Sequence, residues 1–203
     1  MIAKRALDVL MSLISLMIFG PIMVVTALVI LLFDGKPVIF RQERVGRHGE
    51  VFEIHKFRTM KPQTSSLRLS TTNDSRLTKT GALLRKWKID ELPQLYDVVR
   101  GKMSLVGPRP EVPEYVDRWP ASSKGVILSV RPGITDPASV RFRNEQDILA
   151  QAENKEKFYV EQILPEKVSM YVSYVGSISL YGDLKILIST VKAVFAPKRD
   201  RNR

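Results

Sequence analysis

The sequence predicts a mainly helical α+β chain: an N-terminal membrane helix-break-helix, then a compact cytosolic domain with a small β-hairpin and interfacial amphipathic helices. Three observations carry this prediction. No charged residue occurs from Val9 to Phe33. The stretch "PVIFRQERVGRHGEVFEIHKFRTM" holds two Val/Ile/Phe-rich runs with Gly46 and Gly49 between them. "GALLRKWK" and "DLKILISTVKAVF" mix apolar and cationic residues in the manner of helices lying at a surface.

The apolar run would reach roughly 37 Å as a straight helix, against about 30 Å for a bilayer core. Gly20-Pro21 lies at its midpoint, and proline removes a backbone donor, so a bend or break is expected there. Each half then reaches only to mid-bilayer. Lys4 and Arg5 precede the run, and Lys36, Arg41, Arg44 and Arg47 follow it, so both ends read as cytoplasmic. That favours a re-entrant hairpin over residues 1–35, with an ordinary kinked transmembrane anchor as the other reading. Ser12, Ser15 and Thr26 offer hydroxyls to backbone groups freed near a break.

After the hairpin strands, residues Lys61 to Thr80 are dominated by Ser, Thr, Asn and Lys, and read as a mobile loop bordering a site. In "GALLRKWK", Leu83, Leu84 and Trp87 share one side. Two helices divided near Pro165 follow, then the strongly apolar helix from Asp183. The second unit is therefore 36–196, with a basic tail over 197–203.

At 203 residues there is room for one domain plus an appendage. A net charge of +11 predicts an anionic partner: nucleic acid, a phosphorylated small molecule or an acidic lipid surface. The basic residues are spread among prolines and carboxylates without a recognised nucleic-acid motif, which argues against nucleic acid. With no cysteine and only His48 and His55, thiolate and histidine-rich metal sites are excluded, leaving a hard ion held by oxygen.

Asp90 and Glu91 in "LLRKWKIDELPQLYDVVRG" read in two ways. They suit the start of a helix opened by Pro93 and closed by Gly101. They equally suit phosphoryl chemistry, because an Asp beside Arg85 and Lys88 should stay ionised and can attack phosphorus, while a neighbouring Glu holds a divalent metal. Arg109 in "GPRPE" is presented rigidly between prolines, as a diphosphate clamp needs. Lys56 and Arg58 alternate with Phe57, so both could face one side. Arg143 and Asn144 in "VRFRNE" are weaker candidates, and Asp183 reads first as the N-cap of the last helix.

Taken in order, the broken apolar segment, "QERVGRHGEVFEIHKFRTM", "NDSRLTKTGALLR", "IDELPQL", "MSLVGPRPEVPEY", "VRPGIT" and "DLKILISTV" resemble the bacterial sugar transferase family, the monotopic phosphoglycosyl transferases. The resemblance covers nearly the whole chain. It implies a re-entrant helix in the inner membrane, a catalytic domain on the cytosolic face, and contact with membrane lipids. It implies transfer of a sugar 1-phosphate from a UDP-sugar to polyprenyl (undecaprenyl) phosphate, the first step of a bacterial glycoconjugate. By position, Asp90 would be the nucleophile, with Mg²⁺ at Glu91 and Asp90. Arg85 and Arg109 would contact phosphates; Lys56 with Arg58, and Arg143 with Asn144, would line the donor site, with Asp183 near it. The exposed interfacial surface also raises the expectation of a homodimer. Two departures stand out: Gly20 where the family commonly has serine, which bears on the bend, and Asp136-Pro137-Ala138-Ser139 in place of a Gly-Trp-Ala-Gln run, which bears on sugar choice.

Overall fold

Residues 2–61, 71 and 74–196 are described by the computed structural model. The polar segment expected to be a mobile loop lies largely outside them, as does the basic tail.

Helix α1 runs without interruption from Ile2 to Phe33, with Pro21 inside it. The expected division into two helices is therefore corrected. One proline deletes a single intrahelical bond, and the long apolar runs on either side favour keeping every other backbone group paired. Most of its side chains face outward: Met17 is 81% exposed, and Ile18, Val24, Leu28 and Leu32 are exposed as well. Its one buried stripe, Asp8, Ser12, Thr26 and Ile30, faces the rest of the protein. The helix is long and apolar enough to cross a membrane.

Both of its ends are held by the same domain. At the start, the Asp8 carboxylate accepts from Ser104 Oγ at 2.7 Å and Leu105 N at 3.3 Å. At the far end, Ile30 packs with Phe57 and Leu84, and Arg58 donates to the carbonyls of Asp34, Gly35 and Lys36 at 2.6, 2.6 and 3.1 Å.

The predicted hairpin is present: β1 (Ile39–Val45) pairs antiparallel with β2 (Val51–Phe57), Gln42 opposite Ile54. Alternation sends Phe52 and Ile54 inward, and Phe57, on the other face at the strand's end, is buried against Ile30 and Leu84. Helix α2 (Lys79–Lys86) is capped by the Thr78 hydroxyl, which accepts from Gly81 N. Its apolar residues part company, against expectation: Leu84 is buried, whereas Leu83 and Trp87 are exposed. The reason is helical geometry, since Leu83 and Leu84 lie about 100° apart around the axis.

A 3₁₀ turn (Ile89–Glu91) leads to α3 (Gln94–Val99), then β3 (Ser104–Val106), α4 (Pro113–Val116) and α5 (Ala121–Ile127). β4 (Gly133–Thr135) pairs parallel with β3. Helices α6 (Pro137–Arg141), α7 (Glu145–Ala150) and α8 (Lys155–Phe158) follow, and a π turn (Tyr159–Ile163) runs directly into α9 (Leu164–Gly176). Pro165 thus lies in the first turn of α9 and does not separate two helices. The wider π turn precedes it where an ordinary i→i−4 ladder would need the missing N–H.

Helix α10 (Leu180–Phe195) is capped by Ser179, whose hydroxyl accepts from Gly182 N, so Asp183 is not its N-cap. It exposes Leu184, Ile188, Val191 and Phe195, and Phe195 meets Trp87 with ring centroids 5.9 Å apart. The main core gathers Tyr115, Trp119, Ile127, Leu149, Tyr159, Leu164 and Tyr171, and a second core joins β2, α3 and β3 through Ile54, Val98, Met103 and Val106.

Candidate active site

Four short pieces of chain meet at Asp90 and Glu91. Thr59, just past β2, lies against α2 because Gly81 has no side chain: a Cβ there would stand 2.1 Å from Thr59 O. This approach lets Arg85 Nε donate to Thr59 Oγ1 at 2.9 Å. Lys88 then adopts φ 56°, a left-handed conformation that turns the chain from α2 into the 3₁₀ turn. The turn carries both acids inward, and both are buried. Neither side chain caps a helix: the residue before the turn is Lys88 and that before α3 is Pro93, and no capping side-chain bond exists at either. The acids do lie in a first helical turn, as the helix-start reading expects, but the capping part of that reading is corrected.

Glu91 is held by cations from two directions. Arg109 Nη2 donates to its Oε1 at 2.6 Å and Lys56 Nζ to the same oxygen at 3.0 Å. Arg109 is presented by the Pro-Arg-Pro segment after β3, where Gly107 and Gly133 touch so closely that a Cβ on Gly133 would stand 2.1 Å from Gly107 N. Behind it, Arg44 donates to Pro110 O at 3.2 Å and lies 3.5 Å from Glu111 Oε2. Asp90 differs from its neighbour: its Oδ1 is buried without a hydrogen-bond partner.

The electrostatics divide the pair. Burial pushes the Asp90 carboxyl up, and the negative charge of Glu91 adds to this, against the opposing pull of Lys56, Lys88 and Arg85. Burial would also raise Glu91, but Arg109, Lys56 and Lys88 outweigh it and hold that carboxyl well below the usual range. The cationic neighbours expected to favour the ionised Asp90 do act in that sense, and desolvation is the larger effect. Burial also lowers Lys56 to about 8, with Arg109 acting in the same sense and Glu91 opposing.

Of the predicted site residues, Lys56, Arg85 and Arg109 join Asp90 and Glu91. Arg58 does not share the face of Lys56: β2 ends at Phe57, and Arg58 turns to the carbonyls that follow α1. Asp183 is engaged elsewhere, accepting from Lys4 Nζ at 2.6 Å and from Tyr174 OH at 2.8 Å. Arg143 donates to Ala196 O just past α10, and Asn144 Oδ1 is buried without a partner beside α7. Neither forms a hydrogen bond or ion pair with Asp90 or Glu91 among the described residues. Sequence reasoning missed the supporting roles of Arg44, Glu111, Lys4 and Asp8. The signal for the last two was available, in a cation and an acid four residues apart at the mouth of an apolar run.

A hard divalent cation fits this donor set. Two adjacent buried carboxylates are present, one with an unpartnered oxygen. No group of three or more Asp, Glu, His or Cys side chains comes together among the described residues. One or two carboxylates, completed by water and phosphate oxygens, is the manner in which Mg²⁺ is ordinarily held.

The family model described as bacterial sugar transferase matches residues 1–197. An uncharacterized sugar transferase, EpsL of Bacillus subtilis, is 39% identical over 96% of this chain and 88% of its own. The UDP-glucose:undecaprenyl-phosphate glucose-1-phosphate transferase of Escherichia coli is 35% identical over 96% of this chain, which spans 40% of that longer protein. The UDP-N-acetylgalactosamine-undecaprenyl-phosphate N-acetylgalactosaminephosphotransferase of Aeromonas hydrophila is 33% identical over 94% of this chain and 43% of its own. On these matches, the chain belongs to the bacterial sugar transferase family.

Proposed function

We propose that this chain moves a sugar 1-phosphate from a UDP-sugar to polyprenyl phosphate at the cytosolic face of the bacterial inner membrane, through a phosphoryl-aspartate at Asp90. The observation that carries this reading is the contrast within the acidic pair: Glu91 is fixed by Lys56 and Arg109, while Asp90 keeps an oxygen with no partner. A buried carboxylate oxygen left unbonded is costly unless a substrate completes it.

An Asp90 oxygen attacks the phosphorus that bears the sugar, the bond from that phosphorus to the bridging oxygen breaks, and UMP leaves with the electron pair. A phosphate oxygen of the lipid then attacks the same phosphorus, the acyl phosphate bond breaks, and the carboxylate returns. Arg85, half enclosed beside Thr59, and Lys88 face the diphosphate as it binds, and Arg109 and Lys56 keep Glu91 charged and oriented. Mg²⁺, held by Glu91 and Asp90, would supply neutralising charge for the phosphate oxygens. Covalent storage lets a water-soluble donor and a membrane-bound acceptor use one site in turn.

For α1 the reading is a helix that dips into the bilayer and returns. Its support is that Asp8, near one end, bonds to Ser104, and Asp34 and Gly35, just past the other, bond to Arg58, so both ends meet the same domain. The chain has no cysteine, so single cysteines at Ala3 and Lys36 would report cleanly. Both should be labelled by an impermeant thiol reagent from the cytosolic side only, and labelling from opposite faces would contradict the re-entrant path.

The reaction is tested by incubating the full chain with radiolabelled UDP-sugars, polyprenyl phosphate and Mg²⁺. Label should enter the lipid phase with one UMP released per transfer for at least one donor. UMP release with every label remaining in water would contradict the reading.

A further inference from the structure

Three guanidinium groups lie near one another beside the start of α1, and none of them forms an ion pair among the described residues. Arg5 donates to Val99 O at 3.2 Å and to Met103 O at 3.4 Å, across the turn that closes α3. Gly101 in that turn has φ +84°, and a Cβ there would stand 3.4 Å from Arg5 Nη2. Arg131 Nε donates to Gly101 O at 2.7 Å. Arg47, on the hairpin connection, donates through Nε to Ser129 O at 3.0 Å, two residues before Arg131. All of these acceptors are backbone carbonyls, so no charge is cancelled.

The acids nearby are committed to other partners. Asp8 accepts from Ser104 Oγ and Leu105 N and lies 3.7 Å from Lys4, and Glu50 lies 3.7 Å from Lys102. Partial burial lowers the Arg131 guanidinium, and the positive charges of Arg5 and Arg47 lower it further, with Asp8 opposing. Like charges assembled this way repel unless an anion sits among them. A guanidinium carries five donors in a planar fork. The anchoring bonds use only one of these on Arg47 and one on Arg131. The cluster stands where α1 begins, beside the exposed apolar side chains of Ile2, Leu7 and Leu10. At the edge of an apolar surface, an oxyanion attached to a hydrocarbon chain satisfies both neighbours.

We propose that Arg5, Arg47 and Arg131 form a binding site for the phosphodiester headgroup of an anionic membrane phospholipid, apart from the Asp90–Glu91 corner. The proposal rests on α1 lying in the bilayer and not on the transferase chemistry. Such a site gives the start of α1 a fixed depth at the headgroup layer.

The test uses the full chain in a neutral detergent, titrated with short-chain phosphatidylglycerol, short-chain phosphatidylcholine or inorganic phosphate, with bound ligand read by native mass spectrometry. The expected result is one phosphatidylglycerol per chain, held at least about tenfold more tightly than phosphatidylcholine and more weakly as salt rises. Arg47→Gln should weaken that binding about fivefold and leave turnover with UDP-sugar and polyprenyl phosphate in phospholipid-free detergent unchanged. Arg131→Lys, which keeps the charge and loses the fork, should fall between. Should Arg131→Lys fail to fold, Arg47→Gln still decides, since its one hydrogen bond is to a carbonyl at the surface. Equal retention of the two lipids, or undiminished phosphatidylglycerol binding in Arg47→Gln, overturns the proposal. Displacement of the lipid by inorganic phosphate at matching concentration overturns the lipid assignment in favour of a soluble phosphate.

Discussion

Arg58 and Arg109 are both enclosed guanidiniums flanking the same corner of the protein, and they do opposite things. Arg58 gives its donors to the carbonyls of Asp34, Gly35 and Lys36. It ties down the residues that leave α1 and has no acid partner among the described residues. Arg109 gives its closest donor to the Glu91 carboxylate, next to an aspartate with an unpartnered oxygen. The difference lies in the partner: a charge bonded to backbone fastens two segments, whereas a charge facing a carboxylate beside an oxygen without a hydrogen-bond partner suits the proposed chemistry.

Substitutions on the two sides of this comparison should differ in kind as well as size. Asp90→Asn should lower turnover by about three orders of magnitude or more, with circular dichroism and membrane extraction unchanged. Retained turnover would place the reactive oxygen elsewhere. Glu91→Gln leaves Lys56 and Arg109 facing a neutral amide, and breaking a buried pair in this way costs about 3 kcal/mol. It should lower kcat by about a hundredfold and reduce the dependence on added Mg²⁺, both measurable in one titration.

Lys56 offers a pH test. Its ammonium is protonated below about 8 and loses its charge above, so activity should fall on the alkaline side near that value. On the acid side activity should climb as Asp90, whose affinity for its proton is raised, becomes ionised. Lys56→Arg keeps the charge at all accessible pH and should shift the alkaline limb upward. An unmoved limb in that variant would assign it to another group.

On the fastening side, Arg58→Met should cost about 2 kcal/mol of stability, read as a lower Tm, while the KM for UDP-sugar is preserved. Asp183→Asn should cost a similar amount, about 2 kcal/mol, because its single amide oxygen can serve Tyr174 or Lys4 but not both, and Lys4 loses its carboxylate partner. A large rise in KM in either variant would return that residue to the donor site.

Much of this was legible in the residues. The hairpin followed from two Val/Ile/Phe-rich runs around Gly46 and Gly49, and α10 from its strongly apolar, amphipathic stretch, because both signals are local. The acidic pair and Arg109 were likewise identifiable, since their neighbours confine them. What was not legible depended on tertiary approach. Nothing near Asp183 in sequence points to Lys4 at the other end of the chain, and nothing in "HKFRTM" says that β2 stops one residue before Arg58. The raised proton affinity of Asp90 was also hidden, because the cations beside it are visible in sequence while the depth of its burial is not. Pro21 read as the place of a bend or break, and α1 continues through it as one helix.

The central claim is tested most directly by mixing the protein with a UDP-sugar and Mg²⁺ without lipid acceptor, quenching rapidly, and measuring intact and peptide masses. The account predicts a mass increase equal to one sugar phosphate, located on the peptide containing Asp90, labile to hydroxylamine, and discharged when polyprenyl phosphate is added. An unmodified Asp90 peptide in a preparation that forms lipid-linked product at full rate would contradict it.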